Sequence, residues 1–352
     1  MDAVPVLPLS GSTCLVTGAA GFVGRNLVDA LVARGCKVKA LDRVAVERHD
    51  PAVTPIVADV THRPDLDRAM QGVDCVFHTA ARILLCEFAP REVAESIHAV
   101  NIVGTRNVVE SAIDAGVKRL VHTSSASVVY GPGTAGGDES LPYSPHEDLY
   151  TTSKVASERI VLAANGRGSL LTAALRPGGI YGPGERHQLL RPTLEAIKRG
   201  EPVTVIGDGS SRLDYTFIDN LVDAELRAAE RLAPGSPVCG QAYFVSDGQP
   251  INHGEWSRRL VERMGLSTKV RHVPGKLLEW VGVGMERVYQ LRGKPEPKVT
   301  RMQVRTCVLD AWYSIDKARR ELGYRPLVTT FEGIDRCVVD ALALYRTLPS
   351  AA

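Results

Sequence analysis

The sequence has no run of about 18 uninterrupted apolar residues, so no bilayer-spanning helix is expected. Its opening residues, MDAVPVLPLSGS, lack the basic cluster that begins a secretory leader. Neither sign of charge dominates. The 42 basic and 40 acidic residues leave a net charge of +2, which gives no footprint for nucleic acid. The seven cysteines (Cys14, Cys36, Cys75, Cys86, Cys239, Cys307 and Cys337) are odd in number and scattered, with no C-x-x-C pair. That pattern excludes a disulfide framework and points to free thiols in a reducing cytoplasm. The nine histidines include no H-x-x-x-H pair, so no metal site is expected. What is present is a chain of 352 residues, 44% of them hydrophobic. That is enough for a large core in one big domain, or in one domain with a smaller companion.

The first half alternates short β-branched runs with helical segments. TCLVTG, KVKALD, PIVAD, CVFHTAA and RLVHTSS read as strands. GRNLVDALVARG and NIVGTRNVVESAIDAG read as helices between them, the first carrying Leu27, Ala30 and Leu31 on one face and closed by Gly35. Such alternation predicts right-handed crossovers and a buried parallel sheet. LLTAALRPGGIYGPG and PVTVIGDG add further strands. The expected fold is α/β: a doubly wound dinucleotide-binding domain over residues 10–178, its sheet completed by parts of 200–250. A smaller substrate-binding lobe, mainly 179–345, is interleaved with it.

Directly after the first strand, LVTGAAGFVGRNL places Gly18, Gly21 and Gly24 where a helix begins. Glycine suits a sharp turn and a close phosphate, and the helix N-terminus, with Phe22 and Val23 in its first turn, offers free N–H groups. The second strand ends at Asp42, 18 residues beyond Gly24. A carboxylate there accepts hydrogen bonds from both ribose hydroxyls and repels a 2′-phosphate, which favours NAD; the adjacent Arg43 keeps NADP as an alternative. The G-x-x-G-x-x-G spacing resembles the extended branch of the short-chain dehydrogenase/reductase superfamily. The resemblance implies that Asp59 and Val60 border the adenine. It also implies that Ala80 and Ala81 let the chain pass beneath the cofactor, and that Asn101 lies near cofactor and active site. For Asn101, simple helix packing is the competing reading.

RLVHTSSASVVYG ends the fifth strand with Thr123, Ser124 and Ser125. Tyr150 and Lys154, in YTTSK, lie one helical turn apart on one face. A free tyrosine titrates near 10, too high for a base at neutral pH. A nearby ammonium and the positive nicotinamide would lower it, while lysine also holds ribose and a serine hydroxyl orients the substrate oxygen. Alone, a Tyr-x-x-x-Lys pair is common. Joined in order to the glycine loop, Asp42 and the serine strand, it reads as an active site. The resemblance marks Ser125 as the catalytic serine, with Ser124 the alternative, and makes Ser125, Tyr150 and Gly178 the substrate contacts.

LRPGGIYGPGE is similar to the segment that passes the nicotinamide in extended enzymes, which implicates Pro177, Gly178 and Ile180. With GDGSSRLDYTFIDNLVDAELRAAERL, GQAYFVSDGQPINHGEW and IDKARRELGYRPLVTTFEGI, it makes the chain resemble the 3β-hydroxysteroid dehydrogenase family over about residues 12–340. The nearest branch is the sterol-4α-carboxylate 3-dehydrogenases that decarboxylate. Sugar-nucleotide epimerases usually carry arginine before the Asp-aromatic pair; here Leu213 precedes Asp214, with Arg212 one place earlier. A one-residue shift turns a strand side chain to the other face, which favours an apolar substrate. The resemblance implies NAD-dependent oxidation of a sterol or steroid 3β-hydroxyl, with loss of a 4α-carboxyl when one is present. The alternatives are a sugar-nucleotide epimerase or dehydratase, a reductase of β-keto acids or aldehydes, and a non-catalytic NAD-sensing module. The superfamily also implies a homodimer. KLLEWVGVGMERVYQL carries a stripe of Leu277, Val281, Met285 and Val288, either packed on the lobe or dipping into a membrane interface over 277–291.

Overall fold

A computed structural model describes residues 5–47, 50–186 and 189–349. In its first half, strands and helices alternate: β1 (Thr13–Thr17), α1 (Phe22–Ala33), β2 (Lys37–Asp42), β3 (Val53–Val57), α2 (Arg63–Ala69), β4 (Cys75–His78), α3 (Arg91–His98), α4 (Thr105–Asp114), β5 (Arg119–Thr123), α5 (Leu149–Ala163) and β6 (Leu171–Pro177). The second half holds β7 (Gly179–Tyr181), α6 (Leu190–Lys198), β8 (Val203–Ile206), β9 (Tyr215–Phe217), α7 (Ile218–Arg231), β10 (Gln241–Val245), α8 (His253–Arg263), β11 (Val270–Val273), α9 (Gly275–Arg292), α10 (Arg301–Val308) and α11 (Thr330–Thr347).

Seven strands form one sheet in the order β3-β2-β1-β4-β5-β6-β10, with every pairing parallel. Parallel strands covered on both faces read as continuous apolar runs, and β4 and β5 are buried at every residue. Leu66, Val108 and Val161 of α2, α4 and α5 cover Leu15, Val76 and Leu120 on one face. On the other, Leu27 and Leu31 of α1 and Leu221 of α7 cover Val16, Phe77 and Val121. Strand order reverses between β1 and β4, and the carboxyl ends of the strands open a crevice there, where a dinucleotide sits in this class of fold.

The rest of the second half pairs β8 with β11 and β7 with β9, all in parallel. The rings of Tyr181, Tyr215 and Trp256 pack within 6.0 Å of one another beside these strands. Arg212 and Leu213 face opposite ways: Leu213 is buried in the main core, while the Arg212 guanidinium lies 5.5 Å from the Trp312 ring.

α9 forms where a helix is expected, but its packing face is not the stripe of Leu277, Val281, Met285 and Val288. The buried positions are Gly282, Glu286 and Tyr289. A Cβ on Gly282 would lie 2.8 Å from the backbone nitrogen of Arg301, so the helix approaches α10 there. The Glu286 carboxylate accepts backbone N–H bonds from Glu87 and Phe88 (2.9 and 3.1 Å) and from Arg301 (2.8 Å). Glu87 and Glu279 bridge Arg301 and Arg305 around it. Polar groups therefore fix the inner face, and Leu277, Trp280, Val281, Val288 and Leu291 are exposed.

Candidate active site

The glycine loop is a cradle that side chains would fill. A Cβ on Gly24 would come 2.1 Å from the Gly18 carbonyl oxygen, and one on Gly18 would come 2.9 Å from the Ala80 backbone. Gly18 also adopts φ +73, a left-handed conformation that favours glycine. α1 starts at Phe22 with no side-chain cap at Gly21 and no acid in its first turn. Its N–H groups and dipole thus stay available to an anion. Asp42 lies beside the loop, one carboxylate oxygen accepting from the Ala20 N–H at 3.0 Å. A dinucleotide fits these features: small residues where the pyrophosphate must approach, and a carboxylate at the end of β2.

At the carboxyl end of β5, Ser125 is half-buried and its hydroxyl accepts from the Ser127 N–H at 3.2 Å. Burial pushes the pKa of the Tyr150 phenol up to about 12, and the neighbouring Ser125 hydroxyl opposes that rise. Ser124 is committed elsewhere, donating to Glu158 at 2.6 Å. Of the two serines, Ser125 is the one that meets Tyr150. Asp148 caps α5 through the Thr151 N–H at 2.9 Å and so fixes the turn that carries Tyr150. Lys154 is buried and donates to the Thr123 carbonyl at 2.6 Å. Burial lowers its pKa to about 8 against the opposing pull of Glu158 and Glu225.

A hydrogen-bonded chain runs under this pair. Thr105 donates to the Asn101 carbonyl (2.6 Å), so its oxygen accepts from His78 Nε2 (2.9 Å). His78 Nδ1 then accepts from Thr17 at 2.8 Å. His122 Nδ1 donates to the His78 carbonyl (3.3 Å), which leaves its Nε2 lone pair 3.4 Å from Lys154 Nζ. Burial and the lysine charge lower both imidazoles, His78 to about 3, so both stand neutral.

Asn101 sits in a π-helical turn, Ala99–Gly104, between α3 and α4. Such turns reorient single side chains and are frequent at functional sites. Its amide accepts from the Arg82 N–H (2.7 Å) and donates to the Arg82 carbonyl (2.9 Å) and Ser153 (2.8 Å). Asn101 therefore ties the loop after β4 to the helix turn between Tyr150 and Lys154. Phe22 and Val23 are half-buried in the first turn of α1, while Arg43 and Ala81 are exposed. Asp59 turns its carboxylate to Thr61, accepting from N–H and hydroxyl at 2.8 Å, and Val60 packs against Gly104. Pro177 ends β6, buried; Gly178 donates its N–H to Thr216 at 3.0 Å; Ile180 is half-buried in β7.

Three polar side chains around Lys154 were not among the sequence candidates. Glu158, one turn beyond Lys154, is fully buried and takes a forked ion pair from Arg176 (shortest contact 2.7 Å), with further bonds from Ser124 and Tyr143. Its i+4 spacing from Lys154 was a signal that it shares that face. His122 lies in buried β5, far in sequence from Lys154, and no local spacing links the two. Glu225 interrupts the buried Leu221–Ala224–Ala228 stripe of α7, the one visible mark of an inward-facing carboxylate.

The sequence profile of the 3-beta hydroxysteroid dehydrogenase/isomerase family matches residues 15–274. A 3 beta-hydroxysteroid dehydrogenase/Delta 5-->4-isomerase of Mycobacterium tuberculosis is 39% identical over 96% of this chain and 92% of its own length. The human sterol-4-alpha-carboxylate 3-dehydrogenase, decarboxylating, is 34% identical over 95% of this chain and 89% of its own. Among solved structures, MoeE5 in complex with UDP-glucuronic acid and NAD superimposes with a TM-score of 0.73. It is 25% identical and covers 96% of this chain and 100% of its own. With its parallel sheet, glycine cradle and Ser125–Tyr150–Lys154 arrangement, this chain belongs to the 3-beta hydroxysteroid dehydrogenase/isomerase family.

Proposed function

We propose that the protein oxidises the 3β-hydroxyl of a steroid or sterol to the 3-ketone with NAD+. The observation that carries this reading is the Ser125–Tyr150 contact beside buried Lys154, at the strand ends that flank the Gly18–Gly24 cradle. The dehydrogenases among its relatives and the NAD complex of MoeE5 support it. So does the burial of Leu213, which removes a cation from the place where epimerases usually carry one.

Gly18, Gly21 and Gly24, with the N–H groups of Phe22 and Val23, would hold the pyrophosphate, and Asp42 the adenine ribose, favouring NAD over NADP. Bound NAD+ supplies the acceptor for the hydride that leaves C3. Ser125 hydrogen-bonds the substrate oxygen and holds it against the Tyr150 phenol. Tyr150 as phenolate takes the hydroxyl proton, and the Lys154 ammonium favours that phenolate electrostatically. Where the substrate carries a 4α-carboxyl, the product is a β-keto acid. The C4–carboxyl bond then breaks with its electron pair passing into the C3 carbonyl as an enolate, CO2 departs, and C4 takes up a proton. No further residue is needed for that step.

The test incubates purified protein with NAD+ and, in separate arms, a 3β-hydroxysteroid deuterated at C3, a 4α-carboxysterol and a UDP-sugar. Deuterium in the reduced cofactor is expected in the first arm, and CO2 release in the second.

The exposed stripe of Leu277, Trp280, Val281, Val288 and Leu291 supports a second element of this proposal. It would rest on a lipid surface, flanked by exposed Lys276, Arg287 and Arg292. Trp280→Ser with Leu291→Ser is then expected to lower binding to anionic phospholipid vesicles by about tenfold, because each loses apolar area that would be buried in lipid. Equal binding by the variant, measured by co-sedimentation, would remove the membrane contact from the account.

A further inference from the structure

Lys154 is a cation buried at 2% exposure, and the groups around it are mostly unable to balance it. From β5 it meets the Thr123 carbonyl and the neutral imidazole of His122; from β4, neutral His78 lies behind His122. On its own helix stand Tyr150, Ser157 and Glu158. Glu158 is already matched by Arg176, which grips both of its oxygens. A second carboxylate, Glu225 on α7, meets the hydroxyl of the same Thr123 whose carbonyl Lys154 holds. One of its oxygens accepts the Thr123 hydroxyl, and the other, Oε2, is buried with no hydrogen-bond partner. Thr123 thus bonds both groups, Lys154 through its carbonyl and Glu225 through its hydroxyl.

A buried cation without a counter-charge reverts to the neutral amine, and a buried carboxylate without one takes up a proton. Each side chain here supplies what the other lacks. We propose that Glu225 is a positioning residue for the dehydrogenase reaction, the buried counter-charge that keeps Lys154 an ammonium beneath Tyr150. It acts through Lys154 and Thr123 and touches neither substrate nor cofactor. The inference rests on the functional reading above only in giving Lys154 a catalytic use; the pairing itself concerns the free protein.

Burial raises Glu225, with Thr123 and Lys154 opposing, and lowers Lys154, with Glu158 and Glu225 opposing. Glu225→Gln keeps the shape and the acceptor for Thr123 and removes only the charge. Carbon-13 labelling at lysine Cε, with the Lys154 signal identified by its loss in Lys154→Met, follows the ammonium directly. In Glu225→Gln the Lys154 titration is expected to move down by about one pH unit, a tenfold change in its protonation equilibrium. The alkaline limb of the kcat profile should move down with it. A purely structural role would change the melting temperature and leave both unmoved. An unchanged Lys154 titration in the folded variant overturns the proposal. If Glu225→Gln does not fold, Lys154→Met provides the reciprocal measurement: the Glu225 carboxyl titration should rise, and an unchanged one overturns the proposal. If the wild-type protein oxidises no 3β-hydroxysteroid while Lys154 still shifts, the functional reading fails and the pairing stands.

Discussion

Tyr150→Phe is expected to lower kcat for steroid oxidation by about 10²- to 10⁴-fold, the usual range for removing a general base. Phenylalanine keeps the ring in its buried position on α5 and removes only the oxygen that meets Ser125. The glycine cradle, Asp42 and the loop held by Asn101 are untouched, so NAD+ affinity should stay within about twofold, as expected of a site independent of the mutated atom. The pH profile carries the same information. Burial holds the phenol up at about 12 in the free protein, and the proposed mechanism uses the phenolate. The wild-type rate should therefore rise with pH through neutrality, because the phenolate fraction rises. That dependence should vanish from the residual rate of the variant. Near-normal turnover in Tyr150→Phe, measured as NADH formation, would assign the base elsewhere.

The second large effect is on stability. Glu158→Ala is expected to destabilise the fold by about 3–5 kcal/mol, because it leaves a buried arginine charge without its partner. Arg176 is 5% exposed, and Glu158 is fully buried and also accepts from Ser124 and Tyr143. Truncation strands all three donors at once. Replacing the pair together, Glu158→Leu with Arg176→Met, removes both charges and should cost less than the single truncation. Urea unfolding of the wild type and the two variants decides it: a loss under about 1 kcal/mol in Glu158→Ala would mean that water reaches Arg176 and solvates it.

Local pattern carried the parts of this protein whose chemistry depends on neighbours in sequence. The glycine loop lies within one strand-turn-helix unit, and Tyr150 and Lys154 share one helix face, so spacing alone brings those groups together. β1 and β4, TCLVT and CVFH, were legible because burial on both faces leaves them largely apolar. The face of α9 was misleading for the opposite reason. Its apolar residues form a regular stripe, yet the inner face is set by a close approach at Gly282 and by a carboxylate capping N–H groups of two distant segments. Periodicity registers apolar content and has no means of seeing those partners. The surroundings of Lys154 were hidden for a related reason. His122, Glu158 and Glu225 come from three elements spread over about a hundred residues, and only the sheet brings them under one side chain. The π-helical turn at Asn101 likewise has no local signature in NIVGTRNVV, since its purpose lies in Arg82 and Ser153.

The most direct test of the account is transfer of the C3 deuterium. Incubated with NAD+ and a 3β-hydroxysteroid deuterated at C3, the protein is predicted to yield the 3-ketone and reduced cofactor carrying that deuterium, in equal amounts. Turnover of the UDP-sugar with no deuterium transfer from any steroid would contradict it.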